Sequence, residues 1–133
     1  MFVEKRKHQR LKIKINARIE ISDGQPIDGQ TRNISFGGLF FETAETNNTD
    51  RLKSGDVCTL TLMLNNDETN QIPLVFQCKI AHSRKRGYGM NFICIEGLEA
   101  YDHFEKMMVL NSSDSELLME ELEKNPGLIV KDE

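Results

Sequence analysis

Apolar and polar residues alternate along much of the chain. Ile13, Ile15, Ala17, Ile19 and Ile21 are separated by Lys14, Asn16, Arg18 and Glu20. A period of two over this length predicts a strand with one buried face. Asp23-Gly24 and Asp28-Gly29 are turn signals, and Gln30 to Ser35 reads as the return strand. Gly37-Gly38 interrupts the pattern ahead of a short apolar strand, Leu39-Phe40-Phe41. Thr43 to Gly55 is polar and predicts an exposed loop. Three further strands follow. Cys58, Leu60, Leu62 and Leu64 share one parity, as do Leu74, Phe76, Cys78 and Ile80, and then Tyr88, Met90, Phe92 and Cys94. Arg84-Lys85-Arg86-Gly87 forms a basic turn between the last two.

After Gly97 the period changes. Leu98, Tyr101, Phe104, Met107 and Met108 recur every three or four residues, which predicts an amphipathic helix near 98–110 that packs Leu98, Tyr101 and Phe104 against the sheet. Ser113 and Glu116 have capping-box spacing, so a second helical segment is expected up to about Lys124, ended by Asn125-Pro126-Gly127. Its apolar stripe is Leu117, Leu118, Met119 and Leu122, flanked by Glu120, Glu121 and Glu123. It packs on its own domain or docks on a partner. Six short strands followed by helix imply a mainly β protein: a six-stranded antiparallel barrel with one or two C-terminal helices.

Composition narrows the class. The chain has 133 residues, enough for one domain, with 38% hydrophobic and 29% charged residues. No apolar run approaches the roughly 20 residues that span a bilayer, and Met1 to Arg10 lacks the apolar core of a secretory signal. A soluble cytoplasmic protein is expected. Cys58, Cys78 and Cys94 share parity with apolar neighbours and are expected as buried hydrophobes, not as a disulfide framework or redox pair.

The net charge of −4 hides a gradient. Residues 1–20 carry seven basic and two acidic side chains, a net of +5, while residues 96–133 carry three basic and eleven acidic ones, a net of −8. A basic head on an acidic protein points to an anionic ligand near the N-terminus, or to a solvated arm.

Catalytic motifs are missing. His8, His82 and His103 have no metal-binding spacing, Ser35 is not in a nucleophile elbow, and there is no P-loop. No metal and no cofactor are expected, and the chain does not read as an enzyme. Two short features remain. One is Arg6-Lys7-His8-Gln9-Arg10, two arginines four positions apart. The other is Asn33-Ile34-Ser35-Phe36-Gly37-Gly38 at a strand junction.

In these residues the chain resembles the PilZ domain family, which binds the bacterial second messenger cyclic di-GMP. Arg6 and Arg10 match the family's RxxxR ahead of the first barrel strand. Asn33, Ser35 and Gly38 match its [D/N]xSxxG, with Asn33 in place of the commoner Asp. Gly87-Tyr88-Gly89-Met90-Asn91-Phe92 is similar to its late GxGxxF segment. The resemblance covers roughly residues 4–108. It implies Arg6, Arg10, Asn33, Ser35 and Gly38 as ligand-binding residues, with cyclic di-GMP as ligand and a downstream protein partner in motility, biofilm or exopolysaccharide control. The implied organisation is a flexible ligand-binding arm over 1–11, a barrel with its packed helix over 12–110, and an acidic helical tail over 111–133.

The chemistry of these side chains suits that ligand. An arginine fork fits guanine O6/N7 or phosphate, and stacks on a purine. Asn33 can accept from a guanine edge with its carbonyl and donate with its amide, and Ser35 can do either. Gly38 leaves room for close backbone approach or supplies a positive φ. Two other classes stay open: a nucleic-acid-binding small barrel, supported by the basic head and Arg84-Lys85-Arg86 but opposed by the acidic C-terminal third, and a PilZ-like interaction module that binds no nucleotide.

Overall fold

The computed structural model describes residues 10–22, 24–43, 51–65, 71–124 and 128–131. Its elements in chain order are β1 (Asn16–Glu20), β2 (Ile27–Ile34), β3 (Gly38–Thr43), β4 (Val57–Asn65), β5 (Gln71–Arg84), β6 (Gly87–Glu96), α1 (Leu98–Asn111), α2 (Ser115–Lys124) and β7 (Ile129–Lys131). The sheet runs β3-β2-β1-β4-β5-β6-β7, and a β3–β6 pairing closes the first six strands into an antiparallel barrel. The expected fold class is thus present.

Alternation explains the interior. Ile19, Leu60, Leu62, Leu74, Phe76 and Ile80 are essentially inaccessible to solvent, and their polar neighbours along each strand face out. Helix α1 covers one end of this core. Phe104 sits edge-on to Phe36, Phe76 and Phe92, at centroid distances of 5.4, 5.3 and 5.9 Å. Edge-to-face contacts of this kind add about 0.5–1.5 kcal/mol to area burial. Helix α2 then folds back on its own domain through Leu118 and Leu122, and β7 joins the sheet parallel to β6, pairing Cys94 with Ile129 and Ile95 with Val130.

Closure demands a tight seam. An added Cβ on Gly38 would lie 2.1 Å from the Met90 carbonyl oxygen on β6. Gly38 does not have a positive φ; that property belongs to Gly55 and Gly97 among the described residues. The glycine therefore serves close approach, and the backbone that approaches is a neighbouring strand.

Several local expectations change. Leu98 is 60% exposed, because it opens α1 before the helix reaches the barrel. The cap of α2 is Asp114, whose Oδ1 accepts from Leu117 N at 3.0 Å; Ser113 takes no part in it. Leu117 and Met119 face solvent. In the polar stretch 43–55, Thr43 is buried at the end of β3 and Leu52 is buried, while residues 44–50 lie outside the described residues. Helix α2 ends at Lys124, where the sequence placed its end, and the short strand β7 beyond it was not expected. Residues 1–9 of the expected arm are also outside the described residues; Leu11, assigned to the same arm, is buried and exchanges both backbone hydrogen bonds with Ile34 at 2.8 Å. Among the described residues, no helix is long and apolar enough to cross a membrane.

Candidate ligand-binding face

The site begins with two irregularities in strand pairing. On β2, Thr31 faces Phe41 and Asn33 faces Phe40, so Arg32 is an extra residue opposite no partner. On β5, Ile80 faces Met90 and His82 faces Gly89, so Ala81 is extra. A β-bulge of this kind re-aims the side chains that follow it. Simple alternation carries Asn33 inward with Thr31, and His82 inward with Ile80. The bulges turn both out onto the barrel's outer face.

The register then assembles a row. Asn33 on β2, Phe40 on β3, Gly89 on β6 and His82 on β5 are successive partners across four strands. Phe40 is nearly covered yet lies outside the core cluster. The Arg32 guanidinium sits over its ring at 4.6 Å, and the His82 ring lies 6.3 Å from it. Arg32 also pairs with Glu42 at 2.7 Å. A guanidinium over an aromatic face is attracted by the ring quadrupole.

The segment ahead of β1 completes the face. Leu11 bridges Ile34 in antiparallel sense, so Arg10 enters opposite Ser35. Arg10 is exposed and close enough to His82 for its charge to act on the imidazole. Burial, then Arg84, then Arg10 hold His82 below its ordinary titration range.

The motif residues divide by role. Ser35 is buried, and its hydroxyl is used within its own turn: Oγ accepts from Gly37 N at 3.1 Å and Gly38 N at 3.2 Å, and donates to the Gly38 carbonyl at 3.1 Å. It shapes the turn. Phe36, in the same turn, is anchored edge-on to Phe104. Asn33 is different. Its Oδ1 is the one buried side-chain polar atom without a hydrogen-bond partner among the described residues. Leaving such an atom unpaired costs about 1–3 kcal/mol, so it is an acceptor awaiting a donor. The structure thus brings Arg10, Asn33, Ser35 and Gly38 to one end of the barrel, and Arg6 lies outside the described residues. It adds Arg32, Phe40, His82 and Arg84, none of which the motifs singled out as ligand contacts.

A well-defined concavity lies elsewhere. Its volume is about 710 Å³, over the outer faces of β1, β2 and β4, and Arg18 and Asp28 pair across it at 2.6 Å. It includes neither Arg10 nor Asn33. No group of His, Cys, Asp and Glu among the described residues is placed to hold a metal ion.

The family model for the PilZ domain matches residues 4–103. No curated protein matches the chain. Eleven chains of solved structures do. One is the Bacillus subtilis inhibitor of motility (MotI/DgrA), with a TM-score of 0.59 and 18% sequence identity, over 76% of this chain and 47% of that one. This chain spans about half the length of that protein, and the likeness is one of fold.

Proposed function

The chain belongs to the PilZ domain family, and from that premise we propose that it is a cytoplasmic receptor which binds cyclic di-GMP and relays the event to a protein partner. The family makes the role regulatory and indicates no catalytic activity. The observation that carries the nucleotide reading is the unpaired Asn33 Oδ1 on the face that Arg10 enters. A guanine edge supplies N1–H and N2–H₂ donors to that oxygen, and the ligand phosphates or guanine O6/N7 engage the guanidinium forks. Arg6 and Arg10 act together as the clamp of the arm. Ser35 and Gly38 hold the turn that presents Asn33.

Relay needs a moving part and a route. In this mechanism the ligand fixes the arm ahead of Leu11 against the β2–β3 turn, which makes a new surface. The turn is also joined to α1 through Phe36 and Phe104, so strain at the turn reaches the helix that covers the core. The fold neighbour is named an inhibitor of motility, which makes motility the first output to assay.

Calorimetric titration with cyclic di-GMP tests the reading. A charge-assisted hydrogen bond contributes about 1.5–3 kcal/mol, so Arg10→Ala weakens binding roughly 10–100-fold. Arg10→Lys also binds less tightly than wild type, because charge is kept and the fork is lost. Unchanged affinity in both variants overturns the assignment. Binding of single-stranded nucleic acid with no response to cyclic di-GMP favours the small nucleic-acid-binding barrel instead.

A further inference from the structure

We propose that His82, laid over Gly89 beside Phe40 and within reach of Arg10, is a further contact of this site, one that grips a ligand phosphate as imidazolium and so couples binding to proton uptake. The inference rests on the receptor reading above and adds a residue and a form of regulation to it.

Three structural observations converge on this side chain. The bulge at Ala81 turns it out of the interior and into the row that begins at Asn33. Gly89 is the residue that lets it lie down: a Cβ there would be 2.2 Å from the His82 Cε1 and 2.4 Å from its Nε2. The imidazole is therefore set flat on the β6 backbone, in the space a side chain would otherwise occupy. Phe40 borders it on the β3 side, itself roofed by Arg32.

The charges around the ring are one-sided. From its own strand come Lys79 and Arg84; from the segment ahead of β1 comes Arg10; beyond Phe40, β2 contributes Arg32 and β3 contributes Glu42. Glu42 is engaged with Arg32. Among the described residues no carboxylate is paired with His82. Burial, then Arg84 and Arg10, disfavour its protonated form in the unliganded protein. A ligand phosphate would bring an anion to the ring itself. Placed against the ring it favours the imidazolium, which then donates an N–H to a phosphate oxygen. The sign follows. The liganded state binds the proton more tightly than the free state, so affinity rises as pH falls from the ligand-raised titration point toward the free-state one.

Titration calorimetry with cyclic di-GMP, in buffers of different ionisation enthalpy and between about pH 5 and 8, reads this directly. Wild type takes up a fraction of a proton per ligand, and its Kd tightens with falling pH, by at most about tenfold per pH unit. His82→Gln keeps a planar polar group without a titrating proton; it loses the uptake and its profile is flat. An equal pH slope in wild type and His82→Gln overturns the assignment of His82 while leaving the receptor reading intact. No heat and no binding for wild type at any pH overturns both.

Discussion

Asn33→Ala is the substitution in which fold and ligand are expected to pull in opposite directions. In the unliganded protein the Asn33 carbonyl oxygen is buried and unpaired. That condition costs about 1–3 kcal/mol, and truncation to alanine removes it. What alanine loses is small, because the side chain is only half-buried and asparagine is itself poorly suited to a strand. The net expectation is a gain of about 1 kcal/mol, or roughly 3–5 °C in Tm for a domain of this size. Binding moves the other way. A neutral hydrogen bond to a guanine edge contributes about 1 kcal/mol, so Kd for cyclic di-GMP weakens about fivefold. Differential scanning calorimetry without ligand and titration with ligand give the two numbers on one preparation. A variant that is less stable than wild type and binds equally well refutes the reasoning, because Asn33 would then be a structural residue with a partner in the fold.

Two further outcomes are expected. Gly38→Ala places a methyl group against the Met90 carbonyl, with overpacking worth about 1–3 kcal/mol or more, so the urea midpoint falls; an unchanged midpoint means the β3–β6 seam relaxes freely. Burial pushes the Cys58 thiol up to about 11 and the Cys78 thiol higher still, so both resist alkylation at neutral pH until urea unfolds the chain, and rapid labelling of the native protein contradicts their placement.

The barrel was legible because each strand declares its buried face in a period of two, and that signal is local. Leu60, Leu62, Phe76 and Ile80 needed no knowledge of their partners to be placed inside. Elements that depend on distant partners were not legible. Strand β7 is three residues long, too short to show a period, and exists because β6 offers it a free edge. The cap of α2 was misjudged by one position, since Ser113 and Asp114 both suit the role and only the path of the backbone selects Asp114. The candidate site divides in the same way. Arg10 and Asn33 are visible as motif residues. His82, Phe40 and Arg32 meet through register and two bulges, and alternation alone would send His82 to the wrong side of the sheet. Ser35 was visible, yet its hydroxyl is spent on its own turn, which no spacing rule reveals.

The row Asn33–Phe40–Gly89–His82 crosses the seam between β3 and β6, where Gly38 meets Asn91 and Phe40 meets Gly89. Pairings between segments so far apart in sequence carry the largest loop-closure entropy and are expected to form late in folding. A site assembled across that seam is therefore expected to be among the last to form as the chain folds and among the first to be lost. A molecule held across the seam would bond that joint of the barrel, slowing unfolding with little change in the folding rate. In time rather than affinity, the effect of such a molecule would be the lifetime of the closed barrel.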